Sequence, residues 1–322
     1  MISINGILNL DKPYGITSME ALRRLKRVSI QKKIGHTGTL DPIATGVIPV
    51  CFGKATRLVE DIMNNEKEYV ATIRLGLATD TYDALGKTVK ETSLSKISFE
   101  RIQDALSNFQ GEILQIPPMF SAIKINGNRL YNLARSGVEV PREPRKVNVY
   151  DIELLDYSCP IVKLRIKCGK GFYVRSLAND LGSILGCGAI IQALTRTKSG
   201  PFEIENAITL DEAEENFVNK EFNNMIIPLD VAVNHLPIVN VTHEEANDLS
   251  NGKQIFSTED SSIFSDSNSF SRYRVYDPKG LFVGIVRGEK NSLTFKPEKN
   301  LQPKSFFKLA NAKFLGRLCL TE

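Results

Sequence analysis

Hydrophobic positions along the chain change period several times, and each change marks an element. Glu68 to Leu75 (EYVATIRL) alternates, with Tyr69, Ala71, Ile73 and Leu75 on one face, the period of a half-buried strand. Ile161 to Cys168 (IVKLRIKC) alternates more strictly: Val162, Leu164, Ile166 and Cys168 point one way, Lys163, Arg165 and Lys167 the other. Helical spacing takes over elsewhere. Thr17-x-x-Glu20 is a capping-box pattern opening a short helix that carries Arg23, Arg24, Lys26 and Arg27. Ser98 caps a second helix, with Phe99, Ile102, Leu106 and Phe109 as its apolar face and Gly111 placed to end it. After the turn Gly169-Lys170-Gly171 a third helix starts near Val174, with Leu177, Leu181, Ile184 and Leu185 as core stripe and Gly186 as its stop. Asp211 to Glu221 reads as an acidic helix with a solvated face.

Between these elements the pattern breaks in informative places. Pro117 to Val149 is polar and holds Pro117-Pro118, Gly127 in a polar turn, and Arg142 to Lys146 (REPRK), so it reads as a long loop or arm of the functional or mobile kind. Pro228 to Pro237 reads as a connector. Beyond it come short strands: Arg274 to Tyr276 and Leu281 to Val286, joined by Asp277-Pro278-Lys279-Gly280, form a hairpin pattern. Ser257 to Ser271, with seven serines and three acids, reads as a mobile loop. The expected organisation is a larger domain over residues 1–235 and a small, mainly β domain over 236–322, a division that suits a length of 322 residues. No internal repeat is visible.

Composition narrows the class. Hydrophobic residues make up 42% and charged residues 24%, ordinary for a soluble globular protein, which excludes a wholly disordered chain. Forty-one Lys+Arg against 37 Asp+Glu leaves a net charge of +4, too mild to name a partner, so the placement of charge matters more than its sum. Tyr157 to Asn179 concentrates five basic residues and no acid, a local positive face. Met1 to Gly6 shows no secretory pattern, and the apolar run Val47 to Phe52 is far shorter than the ~20 residues of a membrane helix. Cys51, Cys159, Cys168, Cys187 and Cys319 are odd in number and form no C-x-x-C pair, which supports neither a disulfide framework nor a zinc cluster. A reduced, cytoplasmic, metal-free protein is expected.

Two motifs fail on inspection. His243-Glu244-Glu245-Ala246-Asn247 has Asn where a zinc-protease helix needs its second His, and Thr81 to Thr88 (TYDALGKT) lacks the first Gly of a phosphate-binding loop. The segment Gly35 to Gly46 (GHTGTLDPIATG) is different. Its three glycines permit tight backbone around Asp41-Pro42, just ahead of an apolar strand. Asp41 either shapes a turn, as Asx-Pro pairs commonly do, or presents a carboxylate on a glycine-shaped loop at a sheet rim. With only His36, His235 and His243 available, enzymatic chemistry would rest on a carboxylate rather than on a histidine triad. Such an Asp needs a cation, which would lower its pKa, and Arg175 follows the glycine-rich turn at a helix start. Basic residues interleaved with Tyr69, Phe172 and Tyr173 fit RNA, whose splayed bases stack on rings while phosphates meet Lys or Arg.

At these residues the chain resembles the TruB family of tRNA pseudouridine synthases. The resemblance spans nearly the whole chain: Lys12-Pro13-Tyr14-Gly15, GHTGTLDPIATG around Asp41, Lys67-Glu68-Tyr69, Asp80-Thr81-Tyr82-Asp83 with Gly86, PPMFSAIKINGNRLYNLAR from Pro117, GKGFYVRSLANDLG from Gly169, and Leu194-Thr195-Arg196. It implies an α+β fold with a mixed, mostly antiparallel central sheet and flanking helices. It further implies an RNA-clasping thumb over residues 117–149 and a C-terminal PUA-like domain. The activity implied is isomerisation of uridine 55 in the tRNA T-loop, with no cofactor and no metal. The catalytic aspartate maps onto Asp41, the tyrosine stacking on the target base onto Tyr69, the paired arginine onto Arg175 and the pocket leucine onto Leu194. His36 matches a histidine that helps displace the nucleotide, Tyr173 and Asp83 complete the substrate-binding set, and Lys12-Pro13 is a mainly structural motif. The expected partner is the tRNA T-arm stem-loop, taken by a monomer with no obligatory protein partner and no membrane. Whether Asp41 attacks the sugar, attacks the base or removes a ribose proton is not decided by sequence. Two other readings stand beside this one: a guide-RNA-dependent, dyskerin-like synthase, and an RNA-binding or tRNA-folding module in which Asp41 is only a turn residue.

Overall fold

The computed structural model describes residues 4–94, 97–125, 127–256, 270–289 and 294–302. Residues 8–51 and 59–226 form one compact unit, and residues 4–7, 52–58 and those from 227 onward form another. The expected mobile loop at Ser257–Ser271 falls almost entirely outside the described residues, as does Cys319.

The larger unit is organised by one mixed sheet. Its strands are β1 (Gly6–Lys12), β2 (Ala44–Phe52), β3 (Lys67–Leu75), β4 (Gly111–Gln115), β5 (Arg145–Ser158), β6 (Ile161–Cys168), β7 (Ala189–Ser199) and β8 (Ile208–Thr209). Along its main path the order is β8-β1-β2-β7-β3-β6-β5-β4. The pairs β1–β8 and β2–β7 are parallel, whereas β7–β3, β3–β6, β6–β5 and β5–β4 are antiparallel. This is the mixed, mostly antiparallel sheet expected. The alternation in β3 and β6 has the predicted result: Ala71, Ile73, Leu75, Val162, Leu164, Ile166 and Cys168 are all buried. Burial of each such aliphatic side chain contributes roughly 1.5–3 kcal/mol.

Three helices bear on the site. In α1 (Ser18–Ser29) the Thr17 hydroxyl accepts from the Glu20 amide at 3.1 Å, and Ala21, Leu22 and Leu25 are buried. In α2 (Phe99–Ser107) Ser98 caps as expected, and Ile102, Ala105 and Leu106 are buried. Phe99, at the first position of that helix, is 43% exposed. The helix also ends earlier than expected, at Asn108, and Gly111 with φ +87° opens β4 instead. Helix α3 (Val174–Leu185) starts where predicted, and Gly186 with φ +77° closes it in the left-handed conformation that glycine adopts without steric cost. Its buried stripe centres on Val174, Leu181 and Leu185, so Ile184, at the margin of that arc, is 49% exposed rather than core. The acidic segment folds as α4 (Leu210–Asn219), closed by a full capping box between Thr209 and Glu212, but its outer face is not wholly solvated. Arg24 of α1 pairs with Asp211 at 2.7 Å and also with Glu214.

The stretch expected as a loop over 117–149 carries structure. Lys124–Ile125 pairs antiparallel with Asn128–Arg129, a helical turn covers Leu130–Arg135 with Leu130 fully buried, and β5 already begins at Arg145. The polar composition hid these elements because each is shorter than the window over which periodicity shows.

The smaller unit has its own sheet of β9 (Ile238–Asn240), β10 (Ile255–Phe256), β11 (Phe270–Tyr276), β12 (Phe282–Glu289) and β13 (Thr294–Asn300), in the order β9-β11-β12-β13-β10. The predicted hairpin is β11–β12, where the Asp277 carboxylate accepts from the amides of Lys279 and Leu281, both at 2.9 Å. Helix α5 (His243–Ser250) begins with a Thr242–Glu245 capping box, so the discarded zinc-like segment is a helix start. Tyr273 meets Phe295 edge-on at 5.4 Å in a core that includes Val239, Leu249, Val275 and Val286.

One glycine is fixed by sheet packing next to the Asp41 loop. Gly46 has φ +98°, and a Cβ there would lie 2.3 Å from the Arg196 carbonyl oxygen of the neighbouring strand. Backbone cannot yield as a flexible side chain would. Gly46→Ala is therefore expected to destabilise the chain by at least about 1–3 kcal/mol. Gly137→Ala, at φ +74° with nothing within 4 Å of the added carbon, should carry only the left-handed penalty of about 1 kcal/mol. Urea denaturation of both variants checks the ordering, and equal losses would contradict it.

Candidate active site

Asp41 does what both readings of its sequence ask. The Ala44 amide donates to the Asp41 carbonyl at 3.0 Å, closing a turn with Pro42 in the position where its fixed φ suits a β-turn. The side chain is left free, and it meets Arg175. Arg175 Nη2 donates to Asp41 Oδ1 at 3.0 Å, and Nε stands 2.8 Å from Oδ2 as an ion-pair contact without the alignment of a hydrogen bond. The Arg175 side chain is 4% exposed, whereas that of Asp41 is 34% exposed. The carboxylate is thus held from one side and open on the other.

Arg175 is positioned by backbone as well as by charge. It lies in the first turn of α3, just after Tyr173, whose amide and carbonyl both bond the Gln115 side chain at the end of β4, at 2.8 and 3.0 Å. The guanidinium then donates to the Thr81 carbonyl at 3.0 Å and the Phe120 carbonyl at 2.7 Å. Asp83 stands near the same nitrogen, Oδ2 at 3.9 Å from Nε. Asp83 is itself fixed, accepting from the Thr81 hydroxyl at 2.6 Å and the Leu85 amide at 3.1 Å. One buried cation therefore serves two carboxylates.

That arrangement corrects the expected pKa. Burial raises the Asp41 carboxyl above the ordinary carboxylate value; Arg175 pulls it down, Asp83 pushes it up again, and Lys12 lowers it. The net direction is upward, because desolvation outweighs the ion pair. The acidic limb of any Asp41-dependent rate should thus lie above the ordinary carboxylate range. Asp83→Asn removes the like charge that raises Asp41, so the limb should move to lower pH, whatever happens to the maximal rate. A single-turnover pH profile decides, and a limb that stays put or moves upward would exclude this coupling.

Of the remaining site residues, Tyr69 and Tyr173 lie near enough to Asp41 for its charge to act on their phenols. Tyr69 in β3 stands opposite Ile166 of β6 and Arg196 of β7. It is half-buried, and burial pushes its phenol upward against a lowering hydrogen bond from Arg196. Leu194 is 6% exposed and lies between Ala44 and Ala71 in the sheet, which places it beside the Asp41 turn. His36 is half-buried; burial and the charge of Arg196 lower its pKa, and its buried Nδ1 has no hydrogen-bond partner. Tyr173 is half-buried, its phenol raised by burial.

The basic strand does not join this group. Paired residues of adjacent strands share a face, so Ile166 opposite Tyr69 faces the site, while Lys163, Arg165 and Lys167 point to the other side. There they are opposed by acids: Asp156, Glu153 and Asp151 across β5, and Glu68 across β3. Arg165 and Glu153 form an ion pair. Of the positive stretch expected from Tyr157 to Asn179, the β6 row is therefore matched laterally by acids of β5 and β3 and turned to the other face, while Arg175 alone is paired with Asp41.

Two buried cations were not assigned a part in the chemistry by the sequence. Arg196 is 2% exposed and has only uncharged partners here: Nε donates to the Val47 carbonyl at 2.6 Å and Nη2 to the Gly38 carbonyl at 3.4 Å. It clasps the segment bearing Asp41 at both ends. Lys12 is fully buried, donates to the Pro13 and Ile16 carbonyls at 2.7 and 2.8 Å, and has its pKa lowered by burial to about 8. The available signal was a basic residue at an inward position of a strand, which only strand register distinguishes from an outward one. Arg196→Lys keeps the charge but loses the two-carbonyl reach. It should lower the single-turnover rate at least about tenfold, since small misplacements of a reacting group are costly. RNA affinity should stay within a small factor. An equal loss in rate and affinity would make Arg196 a ligand contact instead.

The fold is shared with solved pseudouridine synthase structures. A chain of a Cbf5-Nop10-Gar1 complex superposes with a TM-score of 0.71 at 28% identity, covering 94% of this chain and 86% of that one. A chain of an H/ACA RNP bound to a substrate RNA containing 2'-deoxyuridine gives 0.69 at 26% identity, covering 93% and 86%. Residues 26–174 match the TruB family pseudouridylate synthase N-terminal domain, and residues 175–234 the tRNA pseudouridylate synthase B C-terminal domain. The tRNA pseudouridine synthase B of Clostridium tetani is 45% identical over 298 residues, covering 92% of this chain and 100% of the relative. That of Dehalococcoides mccartyi strain BAV1 is 43% identical, covering 92% and 96%. The chain belongs to the TruB family of pseudouridylate synthases.

Proposed function

We propose that the chain is a tRNA pseudouridine synthase that isomerises uridine 55 of the T-loop, with Asp41 as its catalytic residue. The observation that carries this reading is the Asp41–Arg175 pair: a carboxylate held by a buried guanidinium yet open on one side, with Tyr69 and Leu194 beside it.

The geometry suits the chemistry. A uridine inside a folded loop must be extruded, at roughly a few kcal/mol, before its sugar and base can be reached. The ring of Tyr69 offers a stacking surface that replaces part of the lost base stacking. His36, whose pKa burial and the charge of Arg196 lower, is assigned the part of helping to displace the nucleotide. Leu194 supplies an apolar wall, Asp83 helps hold Arg175, and Tyr173, tied to Gln115 at the start of the helix bearing Arg175, is assigned to the substrate-binding set. Asp41 then acts on the flipped nucleotide. The N1–C1′ bond breaks, the uracil turns, a C5–C1′ bond forms, the C5 proton leaves and N1 gains a proton. The reaction changes no oxidation state overall.

The arm over 117–149 is assigned the part of an RNA-clasping thumb, and Phe120 at its base touches Arg175 directly. Residues 236–322 are assigned as a PUA-like RNA-binding domain, consistent with the small five-stranded sheet described there. The enzyme is read as a cytoplasmic monomer needing no cofactor and no protein partner. Guide dependence is disfavoured by the curated relatives at 45% and 43% identity, which are named for tRNA.

Tritium release from C5-labelled uridine in a T-arm hairpin, with purified chain alone, tests the assignment. Wild type should release tritium, and Asp41→Asn should release none while its hairpin affinity stays within a small factor. Arg175→Lys should lose turnover more than binding, because Lys cannot hold two carbonyls and a carboxylate at once. Tight binding with no release by wild type would instead support a binding module or a partner-dependent enzyme.

A further inference from the structure

With the basic row of β6 facing away from Asp41 and matched by acids, the RNA-binding charge must be sought elsewhere in the larger unit. Helix α1 and the segment after it carry it. Arg23, Lys26 and Arg27 fall at i, i+3 and i+4 on one exposed helix face, and Lys32 and Lys33 follow, also exposed. Among the described residues none of the five side chains takes part in a hydrogen bond or an ion pair. Arg24, one position round the helix, shows the contrast: it is matched by Asp211 and Glu214 of α4, so the nearest acids are engaged away from this face. Glu20, one turn earlier, is the acid on the helix itself and pairs with none of the five.

What distinguishes this face from an ordinary solvated one is its attachment to the catalytic loop. At the start of α1 the Ser18 hydroxyl donates to the Leu40 carbonyl at 3.0 Å and accepts from the Leu40 amide at 2.8 Å. Just before it, the Gly15 amide donates to the Pro42 carbonyl at 2.8 Å. Both neighbours of Asp41 are thereby tied to the N-terminal end of this element. At the far end Lys32-Lys33 runs directly into Ile34–His36, the short strand that carries His36, and the Thr37 amide bonds the Pro49 carbonyl at 3.0 Å. The cations lie on an element fixed to the Asp41 loop at both ends, and a helix of 12 residues extends about 18 Å. That reach is on the scale of an RNA stem-loop whose target nucleotide occupies the site.

We infer that the face formed by Arg23, Lys26, Arg27, Lys32 and Lys33 is a docking surface for the phosphate backbone of the RNA stem-loop whose uridine meets Asp41. The inference rests on the proposed function for the identity of the ligand. Its chemistry is the sequence-independent one of cations against phosphates: the face supplies affinity and register, and Tyr69, Asp41 and Arg175 act on the nucleotide.

The test is the salt dependence of binding, measured in the full chain with the T-arm hairpin and with single-turnover tritium release in parallel. The variants are Arg23→Gln/Lys26→Gln/Arg27→Gln and, as control, Lys163→Gln/Arg165→Gln/Lys167→Gln. Each lost phosphate contact lowers the slope of log affinity against log salt by roughly 0.7–0.9. The α1 triple variant should thus show a slope smaller by about 2–3 and a clear loss of affinity at moderate salt. Its release rate at saturating RNA should stay within about twofold of wild type, and the β6 triple variant should bind as wild type does. A wild-type slope in a folded α1 variant would overturn the inference, as would a slope lowered by the β6 changes instead. Because binding is read apart from release, absence of turnover by wild type would count against the proposed activity and not against this surface.

Discussion

The site depends on how one buried positive charge is satisfied. Arg175 is withdrawn almost completely from water, and a cation so placed is tolerated only when its donors are matched in number and direction. Two carbonyls and one carboxylate do most of this, and they come from three separate stretches: the turn at Thr81, the base of the arm at Phe120, and the Asp41 loop. The guanidinium is therefore a structural joint as well as an electrostatic one. Removing one partner of such a buried pair costs about 3–5 kcal/mol in general, so the loop bearing Asp41 and the arm are held to the same point.

That joint also sets the character of the Asp41 carboxylate. Asp83 shares the cation, and burial of the Asp41 carboxyl outweighs the attraction of Arg175. A lone Asp–Arg pair viewed in sequence suggests a strongly acidic carboxyl; the trio yields one raised above its ordinary value. Arg196 works from beneath in a similar way, pairing its donors with the carbonyls of Gly38 and Val47 and so fixing both ends of the segment between them. Gly46 has no side chain because the backbone of Arg196 fills the space where one would go.

Sheet parity decides which charges can serve the reaction. A strand presents alternate residues to opposite faces, and pairing transmits that choice across the sheet. Once Tyr69 faces Asp41, Ile166 must do so too, and Lys163, Arg165 and Lys167 are committed to the other side. Acids on β5 and β3 then meet them in register. Among the described residues Arg23, Lys26 and Arg27 are exposed cations without side-chain partners, on a helix whose first turn is bonded to the neighbours of Asp41.

Much of this was legible in the sequence because it rests on local physics. The alternation of Tyr69 to Leu75 and Val162 to Cys168, the caps at Thr17 and Ser98, the start at Val174, the stop at Gly186 and the turn at Asp277 each follow from residues within one element. Motif segments around Asp41, Tyr69, Arg175 and Leu194 identified the family. What the chain did not disclose locally was decided by pairing between distant segments. The carbonyls of Thr81 and Phe120 carry no side-chain signature, so no residue type could announce them as partners of Arg175. The upward direction of the Asp41 pKa needs the burial and the third charge that folding brings. The orientation of the basic strand, and the lateral acids that neutralise it, exist only once β6 has neighbours. Sequence determined which elements form and which family the chain belongs to; tertiary structure alone decided which face each charge meets, because register and burial are properties of contacts and not of residues.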